Sequence, residues 1–259
     1  MNSTFIWYEL ITDDQQQAAD FYGKVVGWTA EPFPGSDAAG EPYLILSKDG
    51  RGSAGILRRN ADMAAAGMPP IWLGYIAVAD ADAAVAAIRA AGGRVHMGPQ
   101  EVPGVGRIAM ATDPGDALFY ILEPKPAGEP PAPVERMTPG GCGWRELYSS
   151  AGEKAAFGFY AGLFGWETIR EMDMGPMGTY RVWGVDGQDL GGMMDKPEQL
   201  PRSGWGYYFV VEGVDSAAER VRANGGSVHM GPMEVPDGSW VVQCSDPQGA
   251  AFCLVSKTR

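Results

Sequence analysis

The chain repeats the same motifs in the same order in its two halves. Residues 7–28 read WYELITDDQQQAADFYGKVVGW, and residues 144–166 read WRELYSSAGEKAAFGFYAGLFGW. Further along, GGRVHMGPQEVP at residues 92–103 returns as GGSVHMGPMEVP at residues 225–236. An internal repeat of this length restricts the chain to architectures built from similar parts. We therefore predict two similar domains.

A proline-rich segment separates the two copies. Residues 124–133 read PKPAGEPPAP, with five prolines in ten residues, a composition typical of an extended, semi-rigid linker. We place the domains at residues 1–123 and 138–259, with the linker at 124–137.

Each half contains two segments in which a strand leads into a helix. In the first half, Asp13 or Asp14 is placed to cap a helix from Gln15 to Val26, which ends at Gly27. The other predicted helices lie near residues 81–91, 152–164 and 214–224. Predicted strands in the first half lie near residues 5–11, 42–48, 52–58, 71–78, 94–97, 106–112 and 117–123. This order gives two βαβββ units per half, which favours an α+β fold with mixed or antiparallel sheet.

Composition excludes several classes of partner. With 20 Lys and Arg against 32 Asp and Glu, the net charge of −12 argues against binding to nucleic acid or to an anionic membrane. The sequence shows no secretory signal pattern and no apolar run long enough to cross a bilayer. Three cysteines without a CxxC motif fit free thiols in a reducing compartment. We expect a cytoplasmic monomer or homodimer whose partner is a small molecule.

The recurring motifs resemble those of a known group. The strand–(T/S)–D–helix–FYxxxxGW opening, the helix DAAVAAIRAAGG and the turn DPxGA before the last strand are similar to the vicinal oxygen chelate superfamily. That group includes glyoxalase I, extradiol dioxygenases and bleomycin-resistance proteins, and the resemblance covers nearly the whole chain. It implies that each half folds as two βαβββ modules forming a cupped mixed sheet around a cavity. It also implies a divalent metal held by His and Glu side chains.

The metal that the resemblance implies lacks ligands in this sequence. The chain has two histidines, His96 and His229, at matching positions in different halves. A metal such as Zn or Fe needs three or four donor side chains converging on one point. The positions that align with the family's ligands hold no typical hard ligand: Trp7, Trp144 or Arg145, Leu73, Gly206, Tyr120 and Cys253. We predict no metal site and no cofactor, with a divalent metal kept as the alternative.

The strongest catalytic candidates are Glu9 and Glu146, one in each opening strand. By the two-residue alternation of a strand, each shares a face with a tryptophan two residues earlier, Trp7 or Trp144. A carboxylate on the wall of an apolar cavity is desolvated, which raises its pKa and suits a general base or a hydrogen-bond anchor for a ligand. The alternative is a structural carboxylate paired with an arginine or with backbone amides.

Aromatic, sulfur-containing and histidine side chains supply the candidate ligand contacts. Histidine can shuttle protons near neutral pH, although we favour a structural role for the histidine of VHMGP, bonded to backbone at the end of a strand. Large aromatics usually form core, yet several alternate onto the inward face, where a flat apolar ligand could stack. The predicted ligand-binding residues are Trp7, Tyr75, His96, Met110, Trp144, Tyr207, His229 and Gln243.

Differences between the halves predict two unlike cavities. Met110 is replaced by Gln243, and Tyr120 by Cys253, at matching places of the repeat. We interpret the chain as a small-molecule binding protein without the family's metal site, holding a hydrophobic or aromatic metabolite or drug. The alternatives are a lyase or oxygenase-type enzyme that uses Glu9 or Glu146, and a purely structural or protein-binding pair of domains.

Overall fold

The computed structural model describes residues 3–36, 42–125 and 135–259. Most of the predicted linker, residues 126–134, lies outside them. The first-half elements are β1 (Phe5–Thr12), α1 (Gln15–Val25), β2 (Thr29–Pro32), β3 (Leu44–Lys48), β4 (Arg51–Arg58), α2 (Ala61–Ala65), β5 (Ile71–Ala77), α3 (Ala81–Ala90), β6 (Arg94–Val102), β7 (Gly106–Thr112) and β8 (Leu118–Pro124). The second-half elements are β9 (Cys142–Ser149), α4 (Glu153–Phe164), β10 (Glu167–Asp173), β11 (Thr179–Val185), β12 (Gln188–Asp195), β13 (Gly204–Val210), α5 (Val214–Ala223), β14 (Ser227–Glu234), β15 (Trp240–Ser245) and β16 (Ala251–Ser256).

These elements form four βαβββ modules and two eight-stranded mixed sheets. The strand order is β2-β3-β4-β1-β5-β8-β7-β6 in one sheet and β10-β11-β12-β9-β13-β16-β15-β14 in the other. In each module the first strand runs parallel to the last, as β1 does to β4, while the three strands after the helix pair antiparallel. The predicted α+β fold class and its tandem βαβββ modules are therefore confirmed. The predicted domain boundaries remain a prediction.

Local chemistry accounts for the helix ends. Asp14 caps α1, because its side chain accepts a hydrogen bond from the backbone N–H of Gln17 at 2.9 Å. Asp80 caps α3 in the same way, through Ala83. Gly27 and Gly92 follow these helices with positive φ, a conformation that glycine adopts without strain. No helix in the described part of the chain is long and apolar enough to span a membrane.

Two strands differ from the sequence prediction. The strand β2 was not predicted, because its four residues are all exposed and carry no alternating apolar pattern. The strand β6 was predicted to end near residue 97, with a loop over Gly98-Pro99, but it continues to Val102. A register shift between Met97 and Gln100 accommodates the proline, since β6 is an edge strand.

The chain divides into two compact units that do not follow the halves. The first unit comprises Met1–Ile6, Gly74–Pro133 and Arg145–Trp205; the second comprises Trp7–Leu73, Val134–Trp144 and Gly206–Arg259. Each unit therefore packs one module of the first half against one module of the second.

A buried hydrogen-bond relay joins the two modules of the second unit. Tyr22 of α1 donates its hydroxyl hydrogen to Oδ2 of Asp246 (3.2 Å), and Trp72 donates its indole N–H to the Tyr22 oxygen (2.8 Å). The other carboxylate oxygen of Asp246 accepts from the backbone N–H of Gln248 and of Ala250, which closes the DPxGA turn. Burial raises the pKa of Tyr22 and of Asp246.

The first unit contains the same relay. Tyr160 of α4 donates to Oδ2 of Asp113 (3.3 Å), and Trp205 donates to Tyr160 (3.0 Å). Burial raises the pKa of Asp113 as well. The tyrosine of the FY motif in one half thus binds the aspartate of the DPxxA turn in the other half, DPGDA at residues 113–117 or DPQGA at residues 246–250, which gives both recurring motifs a structural reason.

Candidate ligand-binding site

A buried carboxylate with two tyrosine partners lies in the first unit. Glu146 of β9 is 7% exposed. Its Oε2 accepts a hydrogen bond from the Tyr148 hydroxyl at 2.7 Å, and its Oε1 accepts from the Tyr180 hydroxyl at 2.8 Å. Hydrogen bonds of this length between a tyrosine hydroxyl and a carboxyl oxygen hold both side chains in place. Tyr148 and Tyr180 are both half-buried, so this cluster combines a fixed carboxylate with partly exposed aromatic rings.

A glycine lets Tyr180 reach the carboxylate. Gly192 of β12 pairs in register with Glu146 across the parallel β9–β12 ladder. A Cβ atom at position 192 would overlap the Tyr180 hydroxyl and ring. The absence of a side chain at Gly192 therefore creates the space that the Tyr180 ring occupies on its way to Glu146.

The second unit contains a related arrangement around Glu9. Glu9 of β1 is 4% exposed and pairs in register with Gly55 of β4. A Cβ atom at Gly55 would overlap the Tyr43 hydroxyl, so Tyr43 lies across Gly55 as Tyr180 lies across Gly192. Trp7 donates its indole N–H to that hydroxyl at 2.8 Å. The repeat thus preserves a glutamate, a register-matched glycine and a tyrosine above it.

A row of cross-strand neighbours in the first unit contains two of the predicted ligand contacts. Tyr75 of β5 pairs in register with Tyr120 of β8, and their rings stack with centroids 4.4 Å apart and planes 4° apart. Tyr120 pairs with Met110 of β7, which pairs with Met97 of β6. Directly opposed residues share a face of the sheet. Tyr75 and Met110 therefore lie on one face, joined by Tyr120.

The matching row in the second unit has different chemistry. Tyr208 of β13 pairs with Cys253, Cys253 with Gln243, and Gln243 with Met230 of β14. We call the cluster built on this row the C-terminal apolar face. It consists of Tyr208, Val210, Val241, Cys253 and Val255, with Met137, Trp144 and Val235 packed against it.

This face is opposite the helices. Phe252, next to Cys253, contacts the rings of Phe21 and Tyr22 on α1, with centroids 5.8 and 5.2 Å apart. Successive residues of a strand point to opposite faces, so Cys253 points away from that core. Two predicted contacts, Trp144 and Gln243, therefore lie at the C-terminal apolar face.

The remaining predicted contact residues have different surroundings. Tyr207 is 1% exposed and packs against the ring of Tyr8 at 5.2 Å, inside the core; its neighbour Tyr208 occupies the opposite face. His96 and His229 are exposed, and the Nε2 of each lies within hydrogen-bond distance of a hydroxyl, Thr112 at 3.2 Å and Ser245 at 3.0 Å. Ligand roles for these three residues remain predictions.

The donor groups do not fit the metal centre that the fold family implies. Across residues 3–36, 42–125 and 135–259, no group of three or more His, Cys, Asp or Glu side chains is arranged to hold an ion. At two aligned ligand positions the side chains have other partners: Trp7 donates an N–H to Tyr43, and Tyr120 stacks on Tyr75. An indole N–H is a donor and cannot coordinate a cation. No chemical step is derived through a metal for this chain.

The sequence does not indicate the two glycines of these clusters. The roles of Gly55 and Gly192 become clear only when the strand register shows which tyrosine ring lies over each of them.

Comparison with known families and sequences gives consistent matches. The model of the Glyoxalase/Bleomycin resistance protein/Dioxygenase superfamily matches residues 4–121 and 154–254. "Putative glyoxylase CFP32" of Mycobacterium tuberculosis is 32% identical over 251 residues, covering 96% of this chain and 93% of the relative. "Anthracycline biosynthesis protein DnrV" of Streptomyces peucetius is 33% identical over 261 residues, covering 96% and 91%.

Solved structures share the fold at low identity. The 2,3-dioxygenase LapB from Pseudomonas sp. KL28 superposes with a TM-score of 0.63 at 14% identity, covering 100% of this chain and 92% of that one. The Mn(II)-bound glyoxalase from Novosphingobium aromaticivorans gives a TM-score of 0.62 at 16% identity, covering 100% and 82%. These similarities concern the fold alone.

Proposed function

The chain belongs to the glyoxalase/bleomycin resistance protein/dioxygenase superfamily, and within it we propose that it binds a small hydroxylated aromatic molecule without the family's metal. The Glu146 cluster is the polar anchor of the proposed site. Fold membership does not assign an activity, so the proposal depends on the chemistry of this chain's residues.

The observation that carries the proposal is the Glu146 carboxylate held by Tyr148 and Tyr180. A carboxylate accepts hydrogen bonds, so it suits the recognition of a ligand hydroxyl. Trp144, Glu146 and Tyr148 alternate onto one face of β9, which places an indole and a phenol on either side of the carboxylate along the strand. Sites of this kind combine apolar walls with a few fixed polar groups.

The names of the relatives support an aromatic ligand. DnrV is named as an anthracycline biosynthesis protein, and the match with it covers 96% of the present chain. In this chain, Trp144 and Tyr148 flank Glu146 on the same face of β9, and aromatic side chains favour flat ligands. The three cysteines are buried and form no disulfide with one another, which suits a reducing compartment, and we propose a cytoplasmic location.

An enzymatic role for the same cluster is the second candidate. The relative named "Putative glyoxylase CFP32" suggests it, and Glu146 is the group that would act. A carboxylate buried to 7% exposure and fixed by two hydroxyls is positioned to take a proton from a bound substrate. The ligand and the anchor are the same in both candidates, so turnover of the bound ligand separates them.

The test is a binding measurement on chelator-treated protein. We expect 1,4-dihydroxyanthraquinone, a flat hydroxylated probe, to bind in calorimetry, and Glu146→Gln to weaken binding about tenfold, equivalent to about 1.4 kcal/mol. Glu9→Gln is the matched control, with an expected change below about twofold. Equal affinities for wild type and Glu146→Gln would refute the proposal. Consumption of the probe by wild type but not by Glu146→Gln would favour the enzyme.

A further inference from the structure

Tyrosine and methionine side chains alternate across the four strands of the module β9–β12. Met172 of β10 pairs in register with Tyr180 of β11, and Met194 of β12 pairs in register with Tyr148 of β9. Directly opposed residues share a face of the sheet. The strands lie in the order β10-β11-β12-β9, so the four residues follow one another across the sheet. We call them the tyrosine–methionine row.

This row is continuous and lies on the face of the sheet opposite α4. Arg181, next to Tyr180, pairs with Met193, so the antiparallel β11–β12 ladder places Met194 opposite Tyr180. Arg181 forms a buried ion pair with Glu153 of α4, and Met193 is fully buried. Successive residues of a strand point to opposite faces. Tyr180 and Met194 therefore point away from the helix.

The polar anchor of the proposed site is bonded to this row. Tyr148 and Tyr180 donate their hydroxyl hydrogens to Glu146 at 2.7 and 2.8 Å. Tyr148, Tyr180 and Met172 are half-buried, so part of each side chain is open to solvent. Met194 is buried between the strands that carry the two tyrosines. A ligand lying over the row meets aromatic and sulfur-containing side chains along its length and a carboxylate beside it.

We propose that the tyrosine–methionine row binds the fused-ring system of a planar aromatic molecule whose hydroxyl group is held by Glu146. The inference rests on the proposed function and narrows its ligand class to polycyclic molecules. Aromatic rings and thioether sulfur both make favourable contacts with an aromatic ligand. Neighbouring strands lie about 4.8 Å apart, so a row of four residues spans about 14 Å, which exceeds one benzene ring and is comparable to three fused rings.

The first copy of the repeat has different chemistry at the same positions. Ile11 and Leu57 stand where the second copy has Tyr148 and Met194, and they also pair in register. Aliphatic side chains thus replace a phenol and a thioether. An aliphatic side chain offers a ligand ring neither a π face nor a polarisable sulfur atom. The contrast supports a ring-binding role for the row in the second copy.

The experiment compares two probes that share a hydroxyl pattern and differ in ring number, 1,4-dihydroxyanthraquinone and 1,4-dihydroxybenzene. Calorimetry measures both affinities in wild type and in Met172→Ala, which shortens the row at the edge strand β10. We expect about threefold to tenfold weaker binding of the three-ring probe, because a sulfur–aromatic contact is lost, and less than about twofold for the one-ring probe. Phe33→Ala is the matched control, because Phe33 occupies the position of Met172 in the first copy, and it should change neither affinity.

Methyl signals of wild-type protein labelled with ¹³C at methionine locate the ring system without relying on the stability of a variant. The Met172 and Met194 signals are assigned by single substitution to leucine. We expect ring-current shifts of both signals with the three-ring probe. Little change is expected for Met63 of α2, which lies outside the module.

The outcomes separate this inference from the proposed function. Three-ring binding that depends on Glu146 but leaves the Met172 and Met194 signals unmoved would overturn the row as a subsite and leave the proposed function standing. Equal losses for both probes in Met172→Ala would do the same, because the loss would not depend on the additional rings. Wild type that binds neither probe, or that binds no better than Glu146→Gln, would overturn both. Shifts of Met172 that depend on protein concentration without probe would identify a second copy as the occupant and contradict the proposal.

Discussion

The two copies of the repeat agree in their buried relays and differ on the faces away from the helices. Tyr22 donates a hydrogen bond to Asp246, and Tyr160 donates the equivalent one to Asp113. The hydroxyl oxygen of each tyrosine also accepts a hydrogen bond from an indole N–H. The cross-strand rows, in contrast, change from Tyr75–Tyr120–Met110–Met97 to Tyr208–Cys253–Gln243–Met230. Duplication has kept the groups that hold the modules together and varied the groups on the opposite faces of the sheets.

The glutamates show the same contrast at closer range. Glu9 and Glu146 occupy equivalent positions, each opposite a glycine crossed by a tyrosine. Two residues further along, the first copy has Ile11, fully buried, and the second has Tyr148, whose hydroxyl binds Glu146. This difference in residue type, Tyr148 against Ile11, is the reason that we assign the anchor of the proposed site to the second copy.

The largest expected effect tests the shared relays. Tyr22→Phe and Tyr160→Phe each remove a donor to a buried aspartate and an acceptor for a buried indole N–H. We expect each to lower the free energy of unfolding by about 2–4 kcal/mol, because an unsatisfied buried group costs about 1–3 kcal/mol. Denaturant titration measures both. A loss in one variant only would show that the relays are not equivalent.

Substitution of the two glycines tests the difference between the copies. Gly192→Ala and Gly55→Ala each place a methyl group where a tyrosine ring lies, with an expected cost of about 1–3 kcal/mol in stability. Gly192→Ala displaces Tyr180 from Glu146, so it should also weaken binding of the aromatic probe about tenfold. Gly55→Ala should leave affinity within about twofold. Similar affinity losses in both variants would contradict the assignment of the site to the second copy.

Stability at alkaline pH tests the Tyr22 relay. Burial raises the pKa of Tyr22 well above its usual value of 10.0, and burial raises the pKa of Cys244 to about 12. Between the unfolded and the folded value, the folded protein keeps a proton that the unfolded chain has lost. The free energy of unfolding should therefore fall as pH rises above 10.

Single substitutions separate the contributions of Tyr22 and Cys244 to the loss of stability at alkaline pH. Tyr22→Phe should remove the larger part of this alkaline loss, and Cys244→Ala a part that begins nearer pH 9. At acid pH, Asp113 and Asp246 have a raised pKa, so the folded protein keeps their protons at pH values where the unfolded chain has lost them. Their contribution to the free energy of unfolding therefore also decreases as pH rises above 3.8. Denaturant midpoints recorded from acidic to alkaline pH measure both the acidic and the alkaline change in stability. A Tyr22→Phe profile parallel to wild type above pH 10 would exclude Tyr22 as the source.

The smallest effect concerns the additional tyrosine. Tyr148→Phe removes one hydrogen bond to the Glu146 carboxylate, worth about 1 kcal/mol, and we expect about fivefold weaker probe binding with stability nearly unchanged. The half-buried position of Tyr148 keeps the cost to folding small. Calorimetry checks the affinity. Unchanged affinity would mean that Tyr180 alone positions Glu146.

Sequence reasoning predicted the architecture better than the site. The repeated FY and DPxxA motifs and the alternating apolar pattern predict four βαβββ modules, because each is a local signal. The relay between Tyr22 and Asp246 joins residues 224 positions apart, and the sequence does not show that pairing. The sequence also does not show which of two neighbouring strand residues faces the core: Tyr207 lies in the core and Tyr208 on the opposite face, since a shift of one residue along a strand exchanges the faces of the sheet.

The most direct test of the central claim is the affinity of chelator-treated protein for the hydroxylated aromatic probe, compared between Glu146→Gln and Glu9→Gln. The account predicts binding that survives metal removal, falls about tenfold in Glu146→Gln and changes less than about twofold in Glu9→Gln. Binding that disappears on chelation and returns with a divalent metal, or that falls equally in both variants, would contradict it.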